Sequence, residues 1–192
     1  MKYLFAVNLG NIVFAIITLL WWSEFIIFNP SRNEAEEGKE SFYQILAAIL
    51  SSILLAFLLS YFKVGNFNPG LLIRVRVVSL IIYGSGLLIR YWSLIVLGKH
   101  FTRGISVKPE QELVKAGLYS YLRHPLYLGL FLLTIGAVSF MGNWIGIIFA
   151  LIVMFIALRN RILNEEKHLT ETLGLRYERW KDDKDRFLPF IY

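Results

Sequence analysis

Residues 42–62, FYQILAAILSSILLAFLLSYF, contain no charged side chain. A helix of that length rises about 30 Å, the thickness of a bilayer's hydrocarbon core. In lipid every backbone N–H and C=O needs an internal partner, so such a run folds as a membrane-spanning helix. Four further apolar runs accompany it: Tyr3 to Phe28, Leu71 to Leu97, about Leu126 to Met141, and Trp144 to Leu158. The pattern predicts an all-α, polytopic integral membrane protein of about five transmembrane helices. The first run lacks the basic n-region and small-residue cleavage site of a signal peptide, so it reads as a retained helix. The run from Leu126 is short for a full crossing. Gly142-Asn143 makes a tight turn after it, so the last two spans form a helical hairpin.

The polar residues lie between these runs. Residues 29–40 form a polar loop opened by Asn29-Pro30, and Asn66 to Gly70 read as a turn. Arg74 and Arg76 lie near the start of the third run and can snorkel. Arg90, about two turns from its other end, either snorkels or faces a polar cavity. Gly84 and Gly86 permit close helix packing. The segment 98–125 carries Lys99, Arg103, Lys108, Lys115 and Arg123, and the tail from Arg159 carries eight Lys or Arg, whereas residues 140–144 carry none. The positive-inside bias puts that segment and the tail on the cytoplasmic side and the N-terminus outside. Lys63, Arg74 and Arg76 run against this orientation. From Asn164 to Trp180, apolar residues at 169, 173, 177 and 180 mark an amphipathic helix. It either lies on the membrane or packs back over the hairpin's mouth.

The net charge of +6 comes from basic residues flanking apolar runs, where they meet lipid headgroups, which argues against a nucleic-acid partner. Without cysteine, thiolate catalysis, disulfides and Cys-ligated metals are excluded. His100, His124 and His168 show no ligand spacing, so no metal site is expected. Neither a Ser-His-Asp arrangement nor a glycine-rich phosphate loop is present.

Two polar clusters converge on one membrane face. One is Gln111-Glu112-Leu113-Val114, Tyr119 and Arg123-His124-Pro125-Leu126-Tyr127; the other is Arg159-Asn160-Arg161 with Glu165-Glu166. Arg161 and Glu165 are four apart and share a helix face. Pro125 suits a first helical position, where open N–H groups beside Arg123 and His124 favour an anion. Glu165 and Glu166 offer acceptors, and Tyr119 and Tyr127 offer flat faces with polar tips. Such a pocket suits an amphoteric ligand, with the adjacent spans as a lipidic wall for an apolar one. Each residue also has a plainer reading. Arg123, His124 and Arg161 serve as headgroup anchors, and Glu165-Glu166 as a solvated helix start.

ELVKAGLYSYLRHPLYLG, a hydrophobic hairpin and NRILNEEKHLTETLGLRYERWKDDKDRFLP together resemble the isoprenylcysteine carboxyl methyltransferase family. The likeness spans about residues 97–190; related phospholipid methyltransferases and membrane sterol reductases share the Arg-His-Pro-x-Tyr stretch. It implies a single domain: N-terminal helices over 1–97, then cofactor-binding loop, hairpin and tail over 98–192. It implies S-adenosylmethionine as methyl donor, held by Gln111, Glu112, Leu113, Val114, Tyr119, His124, Pro125, Leu126, Tyr127 and Glu165. Members often have His where Gln111 stands. Arg161, with Arg123, would meet the carboxylate of a lipophilic acceptor entering from the bilayer, making Arg161 and Glu165 the catalytic pair. A carboxylate is ionised at neutral pH, so in-line methyl transfer to it needs no general base. A phenol or enol acceptor would bring in Glu165 or His124 as a weak base. The alternatives are methylation of a phospholipid amine, a polyketide-type hydroxyl or a small thiol. More remote are an NADPH-dependent sterol-type reductase and a non-catalytic membrane protein. The membrane expected is the inner one in a prokaryote and that of the endoplasmic reticulum in a eukaryote.

Overall fold

The computed structural model describes residues 9–28, 39–98, 101, 109–110 and 112–188. Six α-helices carry the fold: α1 (Leu9–Ile27), α2 (Lys39–Tyr61), α3 (Pro69–Leu97), α4 (Pro125–Phe140), α5 (Trp144–Leu173) and α6 (Leu175–Lys181). A 3-10 turn, Gly117–Ser120, precedes α4. Helices α1, α2, α3 and α5 are long and apolar enough to cross a bilayer, while α4 is shorter. Leu19, Leu50, Leu54, Ile81, Leu88 and Ile95 point away from the bundle, as lipid-facing side chains do. By contrast α4 is buried along nearly its whole length, between α3 and α5. A helix apolar on all faces belongs inside a bundle, which explains how 16 residues suffice there.

Glycines bring α3 and α4 together. A Cβ on Gly136 would sit 2.7 Å from the Tyr83 backbone, and one on Gly86 would sit 2.6 Å from Leu133 N. Without an aqueous driving force, backbones associate in lipid through such close approach. Of the expected pair, Gly86 makes it; Gly84 meets only Ile17, at 4.0 Å. Polar groups on α1 and α3 add to this, with Thr18 on the Tyr83 hydroxyl (3.0 Å) and Ser23 on that of Tyr91 (2.8 Å).

At one end of the bundle two turns are tied together. Phe67 N donates to Gly142 O (3.0 Å) and Trp144 N to Gly65 O (3.1 Å). Asn143 caps α5 through Gly146 N (2.8 Å) and donates to Val64 O and Asn66 Oδ1. The 63–68 turn therefore shares its end with the 142–143 turn, which the orientation read from basic charges requires despite Lys63. Arg76 there donates to Phe140 O (3.2 Å), while Arg74 is exposed.

One boundary differs from the sequence reading. The last span does not stop at Leu158 with a separate amphipathic helix beginning at Asn164; α5 runs unbroken to Leu173. No Gly or Pro interrupts residues 147–173, and the break falls at Gly174, whose φ of +53° only glycine adopts readily. On either side of it, Leu169 and Leu173 of α5 and Tyr177 and Trp180 of α6 form their own buried cluster with Leu113 against it. The amphipathic face thus packs back on the 112–114 segment. The 29–40 loop falls almost entirely outside the described residues, as do Lys99, His100, Arg103 and Lys108.

Gly136→Val is expected to lower the thermal unfolding midpoint in detergent, by about 1–3 kcal/mol of overpacking. Gly84→Ala is expected to leave it unchanged. Equal midpoints for the two variants would contradict the close α3–α4 contact.

Candidate functional site

The site lies where α4 begins. His124 occupies its N-cap position and Pro125 its first position, as expected. The open N–H groups anticipated there are largely engaged. Tyr127 N turns back to His124 O (3.1 Å), and His124 N donates to Arg186 O (2.9 Å). The second bond belongs to a clamp. Arg123 N donates to Asp185 O (2.9 Å) and Asp185 N to Tyr121 O (3.1 Å), so residues 121–124 hold the tail like a short parallel strand pair. Phe187 follows, fully buried between Phe131 and Phe155.

The adjacent carboxylates of α5 divide the work. Glu166 takes Arg123 Nη1 (3.2 Å) and His124 Nε2 (3.4 Å) on one oxygen and Arg186 Nε (2.9 Å) on the other. It is a buried tie between helix α4, helix α5 and the tail. Glu165, more exposed, accepts from the Tyr127 hydroxyl (2.7 Å), which in turn accepts from Arg161 Nε (3.0 Å). His124 Nδ1 stands 3.9 Å from Glu165, and Arg161 Nη1 donates to Ser41 Oγ on α2 (2.8 Å). The chain Glu165–Tyr127–Arg161–Ser41 therefore runs from α5 to α4, back to α5 and on to α2. Arg123, expected to meet an acceptor, is engaged within the chain; its Nε also donates to Lys184 O (2.9 Å), so it secures the tail.

Two buried hydroxyls, on Tyr119 and Tyr177, fall short of a well-formed hydrogen bond among the described residues, with Ser93 beside the first and Glu166 beside the second. Burial, then the Glu165 carboxylate, pushes the Tyr119 hydroxyl well above its ordinary range. Burial, then Glu166, does the same for Tyr177. Both remain protonated at neutral pH, so each buried hydroxyl has a proton to donate to a polar group beside it.

The expected cofactor block divides on the structure. Tyr119, His124, Tyr127 and Glu165 come together. Leu126 lines an apolar cleft, and its carbonyl accepts from Arg90 Nη1 (3.3 Å). Leu113 and Val114 lie against α6, with Val114 O accepting from the Trp180 indole (3.1 Å). Glu112 is exposed and borders a shallow cleft with Lys115, Arg176 and Arg179. Gln111 lies outside the described residues.

The apolar cleft, about 120 Å³, is lined by Trp21, Phe25, Phe42, Ile45, Ile49 and Leu130. Arg161, Tyr127 and an ion pair absent from the sequence reading form its polar end. That pair is Arg90 with Glu24: Nε to Oε2 at 2.5 Å and Nη2 to Oε1 at 2.6 Å, both side chains buried. Arg90 thus turns inward to Glu24, at the polar end of an otherwise apolar cleft, and does not snorkel. The signal for Glu24 was a lone carboxylate inside the first apolar run, where an ionised group requires a partner. Trp21 also buries an indole N–H with no partner among the described residues.

These features define a polytopic integral membrane protein whose ionisable pocket, at the mouth of a helical hairpin, opens on a lipid-side cleft. Residues 77–171 match the family model of the isoprenylcysteine carboxyl methyltransferase family. The protein-S-isoprenylcysteine O-methyltransferase of Saccharomyces cerevisiae is 28% identical over 192 residues, covering 94% of this chain and 80% of its own length. Its namesake from Schizosaccharomyces pombe is 28% identical over 108 residues, covering 55% of this chain and 46% of its own. Form B from Arabidopsis thaliana is 29% identical over 115 residues, 59% of this chain and 57% of its own. This chain thus spans only about half the length of the last two. The solved structure of a eukaryotic intramembrane Ras methyltransferase, ICMT, matches with a TM-score of 0.69 at 21% identity, over 99% of this chain and 71% of that one. That likeness shows a shared fold. Together these findings support the isoprenylcysteine carboxyl methyltransferase family as the family of this chain, and with it a membrane methyltransferase.

Glu166→Ala would leave Arg123, His124 and Arg186 around an empty place, and is expected to destabilise by about 3–5 kcal/mol. Glu165→Ala is expected to leave the fold nearly intact. Thermal midpoints and limited proteolysis of the tail distinguish the two; equal loss from both would contradict the division of roles.

Proposed function

We propose that the protein transfers a methyl group from S-adenosylmethionine to the carboxylate of an isoprenylcysteine-type acceptor. The observation that carries this reading is the junction of the apolar cleft with Arg161, Tyr127 and Glu165. An acceptor with a prenyl tail and a terminal carboxylate has the same polarity in the same order. The names of the relatives, protein-S-isoprenylcysteine O-methyltransferase, favour this acceptor over an amine, a hydroxyl or a thiol.

The residues present fit the donor. The buried hydroxyls of Tyr119 and Tyr177 offer hydrogen bonds, and Glu165 an acceptor, to its amino-acid and ribose groups. His124 and Tyr127 add ring faces beside Glu165. When bound, the donor supplies a sulfonium-activated methyl group. This chain's residues do the remainder. Arg161, steadied by Tyr127 and Ser41, is placed to hold the acceptor carboxylate. The cleft's apolar wall keeps water from that oxygen, and alignment supplies most of the catalysis. No general base is required. The basic segment and tail make the site's face cytoplasmic, by the positive-inside bias.

Purified protein is given S-adenosylmethionine labelled in its methyl group and N-acetyl-S-farnesylcysteine. Label is expected in a product that releases it as methanol in mild base, which a methyl ester does and an N- or S-methyl product does not. Base-stable label would contradict carboxyl methylation. Arg161→Lys keeps the charge but loses the planar fork. It is expected to lower kcat/KM by about 10–100-fold, the loss of one charged hydrogen bond, with S-adenosylhomocysteine affinity unchanged.

A further inference from the structure

A second cleft lies on the other side of Arg161. It is polar, about 370 Å³, and lined by Glu40, Ser41 and Gln44 of α2 and Asn160, Asn164 and His168 of α5. Ser41 belongs to its wall and accepts the hydrogen bond from Arg161, which lines the apolar cleft. The two cavities therefore meet at one hydrogen bond. Asn160, Asn164 and His168 are spaced by four and form a stripe on one face of α5, leading away from its apolar half. Gln44 faces this stripe from α2, and Gln44, Asn160 and Asn164 are exposed.

We infer that this cleft binds the polypeptide stretch immediately before the modified cysteine, through its backbone amides. The inference rests on the function proposed above. With the prenyl tail in the apolar cleft and the carboxylate at Arg161, the third substituent of the cysteine, its amide nitrogen, leads to the rest of the acceptor. That chain needs a polar route to water, and the cleft beginning at Ser41 is adjacent. Side-chain amides of Gln and Asn both donate and accept, the pairing that a peptide backbone requires. The stripe from Asn160 to His168 covers about 12 Å of helix, which matches roughly three or four residues of extended chain. Backbone recognition of this kind discriminates weakly among side chains.

The test uses full-length protein with two acceptors: N-acetyl-S-farnesylcysteine and an S-farnesylated pentapeptide ending in the same cysteine. The variant is Gln44→Ala with Asn164→Ala, outside the carboxylate and donor contacts. Wild type is expected to favour the pentapeptide by at least about tenfold in kcat/KM, roughly one hydrogen bond's worth. The variant should lose that preference and keep its rate on the single amino acid. A pentapeptide N-methylated at its backbone amides should behave like the single amino acid, while replacing its side chains by alanine should change little. Equal use of both acceptors by wild type, or an equal loss on both in the variant, would overturn the proposal. Binding of the two acceptors, made fluorescent, is measured in parallel. If neither acceptor is methylated, the proposed function fails. The cleft still stands if the pentapeptide binds more tightly and the variant abolishes the difference, and falls if the two bind alike.

Discussion

Glu166 sits between Arg123, His124 and Arg186, and the site depends on it. A buried carboxylate loses several kcal/mol of hydration, and only several well-placed donors offset that loss. Here the donors come from the entry to α4 and from the tail, so satisfying one charge draws three segments together. The backbone bonds between 121–124 and 185–186 then hold the tail over the hairpin's mouth. Phe187 is pressed into the core behind it. With Glu166 spent on structure, its neighbour Glu165 is left to face Tyr127 and Arg161.

The membrane dictates the rest. Apolar helices gain little from lipid by meeting one another, so α3 and α4 associate through glycine contacts and α1 and α3 through hydroxyls and one ion pair. Arg90 bonds Glu24 on α1 and the Leu126 carbonyl on α4. It therefore sets the first turn of α4, one residue from Tyr127, at the polar end of the apolar cleft. Structure and chemistry share these side chains, which is why so few charges occur inside the bundle.

Much of this was legible in the chain. Apolar runs at bilayer length marked the helices, and Pro125 after His124 marked where α4 begins. The four-residue spacing of Arg161 and Glu165 put both toward Tyr127. The harder features are those without local spacing. Glu24 and Arg90 are separated by 66 positions, and nothing near either names the other. The clamp of 185–186 on 121–124 uses backbone atoms, which carry no residue signature. The division between Glu165 and Glu166 follows from which side of α5 the tail covers, a tertiary fact. The charge of Arg123 suits an acceptor carboxylate, and only the tertiary structure shows that Glu166 and the Lys184 carbonyl engage it. The extent of α5 follows from a rule that was available, that a helix continues until a breaker, here Gly174.

Under the proposed function the apolar cleft ends at Arg161, which holds the acceptor carboxylate. A structure of the protein with S-adenosylhomocysteine and N-acetyl-S-farnesylcysteine tests it directly. The acceptor's carboxylate is expected within hydrogen-bonding distance of Arg161 and its farnesyl chain among Trp21, Phe42 and Leu130. A carboxylate bound away from Arg161, or a farnesyl chain seated in the shallow cleft beside Glu112 and Arg176, would contradict it.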